Sequence, residues 1–485
     1  MIIVSITGPT REEALSQITG SRRFAGLFEL RLDLLHGVHA GELIRHAKKP
    51  VVATCRPDWE GGGFKGTENQ RLAILSEAAE QGAAYIDLEL KLGRRRVQTF
   101  AQSHRTAKII LSRHYFTEER IDPRREYQAM RSIGASVFKL AYRADDACDI
   151  STAMKFLQLA KKDRQEAVAI AMGEAGEASR VLYRVFGGWA TFAAPEGGTP
   201  AAEGQIAARL LHDLYRADQL GRSTKIFGVI GNPIEYSKGI YLHNPLFHRA
   251  RKNAVYCRFK VDKLKRFMAE VFPALAGISV TLPHKIAIME FVDRVEESAK
   301  VIGAVNTVVR ERGTLVAENT DAAGALDAIE KRMKVRGRTF LVLGAGGAAR
   351  AIIVEAIRRG AKVFVANRTF ERAEELARIT GCTPVDPAGI DTVDIVANAT
   401  SVGMAPMIDK TPLAEGRMKM KLAFDSVYQP ADTRFLREAR AQGAITVSGV
   451  EMYINQAAAQ SRRYTGTLPN RKLMRRLLEG VVHDR

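Results

Sequence analysis

Cysteine is scarce in this chain: four in 485 residues, at positions 55, 148, 257 and 382, with no CxxC pair. Such scatter builds neither a thiolate metal site nor a disulfide framework, so no metal is expected. Long apolar runs are missing as well. Hydrophobic residues make up 46% of the chain, yet no uninterrupted stretch approaches the roughly 20 residues that cross a bilayer. The opening Met1-Ile2-Ile3-Val4-Ser5-Ile6-Thr7 carries no basic flank of the kind an export signal needs. A cytoplasmic protein without a membrane partner is the expectation. A basic arm is also absent, although the net charge is +19. Residues 1–220 hold 31 Lys and Arg against 27 Asp and Glu, and residues 221–485 hold 42 against 27. The cations of the basic half are dispersed, without interleaved aromatics. That favours attraction of a dinucleotide phosphate and a small carboxylate over nucleic acid, which is not expected as a partner.

What is present is clearest between 340 and 369. Phe340-Leu341-Val342-Leu343 has the composition of a buried strand. It runs into Gly344-Ala345-Gly346-Gly347-Ala348-Ala349-Arg350 and then a helical pattern over 351–359. Gly360-Ala361 stops that helix, and 362–366 is a second strand. A glycine-rich turn between strand and helix lets backbone N–H groups approach a pyrophosphate. An NAD site would follow the second strand with Asp or Glu. This chain has Asn367-Arg368-Thr369, with Arg372 one turn on. Guanidiniums without a carboxylate suit a 2′-phosphate, so the expected cofactor is NADP.

In the first half, strand-like runs alternate with helical patterns. The strands are 2–6, 27–32, 51–55, 85–90, 108–111, 136–140, 167–171 and 190–193. Eight βα units in this length predict a (β/α)8 TIM-type barrel, whose chemistry sits at the C-terminal strand ends. Polar residues gather there: Glu29, Arg31 and Asp33; Arg56 with Glu60; Ser112-Arg113-His114; Met172 and Arg180. Phe138 and Leu140 face the helices, which turns Lys139 inward. An inward lysine with a histidine one strand away is a Schiff-base arrangement: desolvation depresses the amine pKa and the imidazole moves protons. Three arginines nearby would hold an anion.

These motifs resemble type I 3-dehydroquinate dehydratase over about 1–215. The resemblance implies Lys139, in Phe-Lys-Leu, as the Schiff-base lysine. It implies His114, in Ser-Arg-His, as acid/base and Glu60 as the carboxylate that assists it. Glu29, Arg31, Arg56, Met172, Arg180 and Gln205 match substrate-binding positions. The family's closing loop usually reads Ser-Ala-Pro-Gly-Gln. Here it reads Ala201-Ala202-Glu203-Gly204-Gln205, one hydroxyl short, and Thr199 is the residue expected to substitute.

After a helical stretch over 204–217, a short polar segment marks a link at 218–225. A strand over 226–230 then enters Gly231-Asn232-Pro233-Ile234-Glu235-Tyr236-Ser237. Ser279-Val280-Thr281-Leu282-Pro283-His284-Lys285 takes a strand to a lysine, and Asn306-Thr307 and Asn319-Thr320-Asp321 add amides and a carboxylate. Such a set would suit a polyhydroxylated, anionic substrate. With the βαβ unit it resembles shikimate dehydrogenase over about 226–478. The resemblance implies Lys285 and Asp321 as the catalytic pair and Ser237, Thr281, Asn306, Tyr428 and Gln456 as substrate contacts. Gly344, Gly346, Gly347, Asn367, Arg368, Thr369, Arg372 and Thr400 match NADP-binding positions. Two departures stand out: Ser237-Lys238-Gly239-Ile240 in place of Ser-x-Ser-Pro, and Ser279 in place of asparagine.

The expected fold is therefore a barrel over 1–217, followed by a two-lobed α/β module. Its substrate lobe would span 226–325 and its Rossmann NADP lobe 326–450, with helices over 451–485 returning to the first lobe. The expected function is consecutive: dehydration of 3-dehydroquinate, then reduction of 3-dehydroshikimate with NADPH. The alternative is a metabolite-sensing regulator on the same folds.

Overall fold

The computed structural model describes residues 1–117, 121–413 and 418–482. The chain divides into two compact units, Met1–Ile226 with Pro233–Glu235 and Asn253–Leu275, and Phe227–Asn232 with Tyr236–Lys252 and Ala276–Arg485. Among the described residues no helix is long and apolar enough to cross a membrane.

The first unit contains eight parallel strands: β1 Ile2–Ile6, β2 Leu27–Arg31, β3 Val51–Thr54, β4 Tyr85–Glu89, β5 Lys108–Tyr115, β6 Val137–Arg143, β7 Glu166–Met172 and β8 Thr191–Ala193. Their order, β7-β6-β5-β4-β3-β2-β1-β8, is that of a barrel. Its seam is drawn together by Trp189 N–H donating to Ala167 O at 2.8 Å. Alternation sends Ile3, Leu27, Val52, Ile110, Val137, Val168 and Phe192 into one buried cluster that fills the interior. Two strands run past their expected ends. β5 continues through Ser112-Arg113-His114 to Tyr115 and β6 to Arg143. On β5, Ser112 and His114 find partners inside the barrel in Asp87 and Glu60, while Arg113 turns outward to Glu126. The stretch 204–217 forms only one short helical turn, Leu210–Leu214. Ahead of it the backbone is extended beside β8: Ala194 N donates to Ile206 O and Ala208 N to Ala194 O.

The second sheet comprises β9 Lys225–Gly231, β10 Ala254–Lys260, β11 Gly277–Val280, β12 Arg294–Val295, β13 Thr307–Glu311 and β14 Thr314–Glu318. Its order is β10-β9-β11-β13-β14-β12, with β11–β13 and β13–β14 antiparallel. The third holds β15 Thr339–Leu343, β16 Lys362–Ala366, β17 Thr383–Pro384, β18 Thr392–Asn398, β19 Lys419–Asp425 and β20 Ile445–Val447, in the order β17-β16-β15-β18-β19-β20. Along β15, Phe340 and Val342 enter one core while Leu341 and Leu343 enter another. Both faces of this parallel sheet are thus covered, the doubly wound layout expected of a Rossmann lobe.

Candidate active sites

In the barrel, a pocket is lined by Glu29, Arg31, Arg56, Glu60, His114, Lys139, Met172, Arg180 and Gln205. The catalytic and substrate-binding residues that the barrel resemblance implied all converge there, whereas Asp33, Ser112, Arg113 and Thr199 lie outside the lining. Lys139 is buried, but among carboxylates rather than in an apolar slot. Its Nζ lies 3.0 Å from Asp87 Oδ2, 3.7 Å from Glu29 Oε1 and 4.1 Å from the centroid of the Phe192 ring. Phe138 packs outward, edge-on to Tyr127, as the alternation required.

Arg56 lies 2.8 Å from Asp87 and 2.6 Å from Glu89, and donates to Ser112 Oγ at 2.8 Å. Glu89 also pairs with the fully buried Arg71 at 2.7 Å. Burial opposes ionisation of Asp87, yet Arg56 and Lys139 outweigh it and hold the carboxyl well below its usual range. Asp87, Glu89 and Arg71 were missed from sequence, although Asp87-Leu88-Glu89 alternates at the end of β4 as Glu29-Leu30-Arg31 does on β2.

His114 Nδ1 and its backbone N lie 3.0 and 2.9 Å from Glu60 Oε1. Burial, reinforced by Arg56 and Lys139, pushes the imidazole well below its usual pKa. Burial likewise pushes Glu60 up to about 7, partly offset by Arg56. A neutral imidazole oriented by a carboxylate is equipped to accept and return a proton.

The three arginines are not equivalent. Arg31 is bidentate to Asp33 at 3.0 and 2.7 Å, and Arg56 is doubly paired. Arg180 is 1% exposed and donates only to carbonyls, Phe192 O at 3.3 Å and Glu203 O at 3.2 Å. Among the described residues it has no carboxylate partner, and burial pushes it down to about 10. Among those residues its charge is met by backbone carbonyls alone. Glu29 accepts from Ser5 Oγ at 2.6 Å and Thr54 Oγ1 at 2.9 Å. Gln205 Oε1 accepts from Ala201 N at 2.7 Å, so the altered loop still folds back onto its glutamine. Thr199 does not replace the missing serine. It is exposed and lies outside the pocket lining, with its carbonyl bound by Thr7.

In the second unit, Lys285 Nζ lies 2.6 Å from Asp321 Oδ2. Asp321 opens the helix Asp321–Glu330, and Asn319 Oδ1 accepts from the N–H groups of Asp321 and Ala322 at 3.0 and 3.2 Å. The end carrying the aspartate is thereby fixed. Asn306 is buried: Nδ2 donates to Thr320 Oγ1 at 2.9 Å and Oδ1 accepts from Thr320 N at 2.9 Å. Thr281 follows β11. Gln456 faces the same helix, since a Cβ on Gly324 would come within 3.1 Å of Gln456 N. Tyr428 packs on Tyr453, centroids 4.7 Å apart. Ser237 is engaged locally, accepting from Gly239 N at 3.4 Å.

The glycine turn lies beside this pair: a Cβ on Gly347 would be 3.6 Å from Lys285 Cδ. Gly344 has φ +110°, and a Cβ there would sit 3.0 Å from Thr400 Cγ2, so only glycine is comfortable. A Cβ on Gly346 would meet open space, and Gly347 begins the helix Gly347–Arg358. Thr400 is fixed by Asn398, its Oγ1 donating to Oδ1 at 2.7 Å. After β16, Asn367 Nδ2 caps back to Thr369 O at 2.8 Å. Arg368, Thr369 and Arg372 are exposed, and neither arginine has an ion-pair partner among the described residues. An open helix N-terminus with two uncommitted guanidiniums beyond it fits a phosphorylated dinucleotide.

A family model described as type I 3-dehydroquinase matches residues 2–222. One described as the shikimate dehydrogenase substrate binding domain matches 229–308, and one described as shikimate / quinate 5-dehydrogenase matches 327–426. The chloroplastic bifunctional 3-dehydroquinate dehydratase/shikimate dehydrogenase of Arabidopsis thaliana is 37% identical over 472 residues, covering 91% of this chain and 78% of that protein. The shikimate dehydrogenase (NADP(+)) of Shouchella clausii is 36% identical over 272 residues, 53% of this chain and 98% of its own length. Among solved structures, shikimate 5-dehydrogenase from Thermus thermophilus, in complex with NADP(H) and shikimate, is similar at TM-score 0.50 and 35% identity, over 53% of this chain and 99% of its own.

Proposed function

The chain belongs to the family of bifunctional 3-dehydroquinate dehydratase/shikimate dehydrogenases, and from that membership we propose how its residues divide the two reactions. The protein is a lyase joined to an NADP-dependent oxidoreductase, and the product of the first reaction is the substrate of the second. The regulatory alternative finds no support in the relatives described above.

In the barrel, Lys139 condenses with the substrate ketone to give an imine and one water. Asp87 and Glu29 hold the amine on target. His114, kept neutral by burial and its cationic neighbours, removes the proton α to the imine and returns it to the departing hydroxyl, which leaves as water. Hydrolysis of the imine consumes one water and restores Lys139. Arg180 anchors the substrate carboxylate, with Glu29, Arg31, Arg56, Met172 and Gln205 around the ring. The observation that carries this reading is the convergence of Lys139, the His114–Glu60 pair and Arg180 on one pocket.

In the second unit, NADPH bound at the glycine turn supplies a hydride. Gly344, Gly346, Gly347 and Thr400 would shape the diphosphate site, and Asn367, Arg368, Thr369 and Arg372 the 2′-phosphate site. Lys285 delivers a proton to the substrate's carbonyl oxygen, and Asp321 holds the ammonium in place. Thr281, Asn306, Gln456, Ser237 and Tyr428 surround the substrate. The ligands are small anions and a dinucleotide, and the proposed compartment is the cytoplasm, to be checked by fractionation. The functional test is 3-dehydroquinate plus NADPH with purified protein. NADPH oxidation with shikimate formed is expected. 3-Dehydroshikimate accumulating without NADPH oxidation would remove the second half of the reading, and unchanged 3-dehydroquinate would remove the first.

A further inference from the structure

We propose that Gln460, in the helix Gly449–Thr465, is a positioning residue for the reductive step, acting through Asn306 on the end of the helix that carries Asp321. The inference rests on the assignment of Lys285 and Asp321 given above. Gln460 is 4% exposed and engaged at both ends of its amide. Oε1 accepts from Ser279 Oγ at 3.0 Å, while Nε2 donates to Asn306 O at 3.2 Å and to Thr307 Oγ1 at 3.0 Å. Thr307 Oγ1 in turn donates to Asn306 Oδ1 at 2.9 Å. The Asn306 amide spans Thr320, bonding both its hydroxyl and its backbone N–H, and Thr320 directly precedes Asp321.

One glutamine therefore joins β11, β13 and the loop that launches Asp321. Ser279 and Thr307 are paired residues of the two strands, so Gln460 bridges a fixed rung. The helix that bears it approaches the Asp321–Glu330 helix closely, with Gly324 at the crossing, which leaves little slack. In a buried, saturated network a displaced member shifts its partners, because each polar atom must keep a partner. The carboxylate at the end of the chain of bonds is what Lys285 is aligned on. Displacing Asn306 would misalign the pair without removing either partner.

The test uses the full chain, whose dehydratase reaction serves as an internal control for folding of the first unit. Gln460→Leu is expected to lower kcat for 3-dehydroshikimate reduction about tenfold, roughly the worth of one net hydrogen bond. The KM for 3-dehydroshikimate, which Asn306 also borders, should change by less than kcat does, and the KM for NADPH should stay within about twofold. Ser279→Ala, which removes the partner of Gln460 Oε1 and also a contact of the Tyr464 hydroxyl, should lower kcat in the same sense by about threefold. It carries the test if Gln460→Leu does not fold. In an Asp321→Asn background, Gln460→Leu should cost less than about twofold more, since its route of action is already cut. A full tenfold loss in that background, a change in KM alone, or an unchanged kcat with only a lowered melting temperature would overturn the proposal. A wild-type chain that reduces no 3-dehydroshikimate would overturn the assignment beneath it, and the proposal with it.

Discussion

Lys285 Nζ and Asp321 Oδ2 stand 2.6 Å apart, joining the segment after β11 to the first residue of a helix 36 positions later. Both side chains remain accessible, at 21% and 10% exposure, so the pair is reachable by a substrate. Lys285→Ala is expected to lower kcat for reduction by about 100-fold or more, with little change in KM, because a proton donor acts mainly in the transition state. Dehydration by the same protein should be unaffected. Steady-state kinetics decide the matter: a preserved kcat with a raised KM would make the lysine an anchor.

Borohydride added with 3-dehydroquinate should fix substrate mass on Lys139 alone. Lys139→Ala should abolish both labelling and dehydration, whereas His114→Ala should slow dehydration by about 10²–10⁴. Peptide mass spectrometry reads the site, and label on any other lysine defeats the imine route.

Dehydration should also titrate with Glu60. Its carboxyl is pushed up to about 7 by burial, and only the ionised form can accept both bonds from His114 without competition from its own proton. Activity should therefore rise with pH through about 7 and level off above. In Glu60→Gln that limb should vanish and the plateau fall. A limb that persists unchanged in the variant assigns it to another group.

Cofactor choice should follow Arg368. Its guanidinium has no ion-pair partner among the described residues. Losing a charge-assisted contact to a phosphate should weaken NADPH binding by about 10-fold or more in Arg368→Ala. NADH binding should barely change. Titration by fluorescence distinguishes this from a structural role, in which both affinities would fall together.

Asp425 gives a stability prediction. Its carboxyl, ordinarily near 3.8, is pushed up to about 6 by burial against three donors, Thr433 Oγ1, Val427 N and Asn398 Nδ2. Between those values the folded chain holds a proton that the unfolded chain has lost. This group's contribution thus falls as pH rises from about 4 to 6, by about 3 kcal/mol in all. Asp425→Asn removes that slope. Relative to wild type, the variant should gain stability across this window, read as urea midpoints at pH 4 and 7.

The barrel was legible because eight apolar runs recur with helical patterns between them, and the strand starts fall within about a residue of expectation. The ends of β5 and β6 were not. Ser112-Arg113-His114 has the polarity of a loop, and only the barrel interior, where Ser112 donates to Asp87 and His114 meets Glu60, makes it a strand. The candidate acid–base groups were readable from motif and alternation. Their partners Asp87 and Glu89 were not, because two acidic residues near a strand end carry no signal until Arg56 is seen between them. Thr199 was chosen for its hydroxyl, but the loop turns it to solvent. The cofactor turn was the most legible site, since the positive φ and close approach to Thr400 at Gly344 write themselves directly into sequence.

Arg180 lies in the short helix Glu177–Val181 after β7, with only carbonyl oxygens to balance it. The fold has already stripped its water and fixed its fork of donors. In the proposed reading an arriving carboxylate meets a cation that needs neither dehydration nor reorientation, so recognition is preorganised rather than drawn in by a general positive field. Around it, Arg31 faces Asp33, Arg56 faces Asp87 and Glu89, and Lys139 faces Asp87 and Glu29. The pocket as a whole is nearly self-neutralised. On that reading selectivity for an anion resides in the placement of one guanidinium, and the encounter rate at this mouth should depend only weakly on ionic strength.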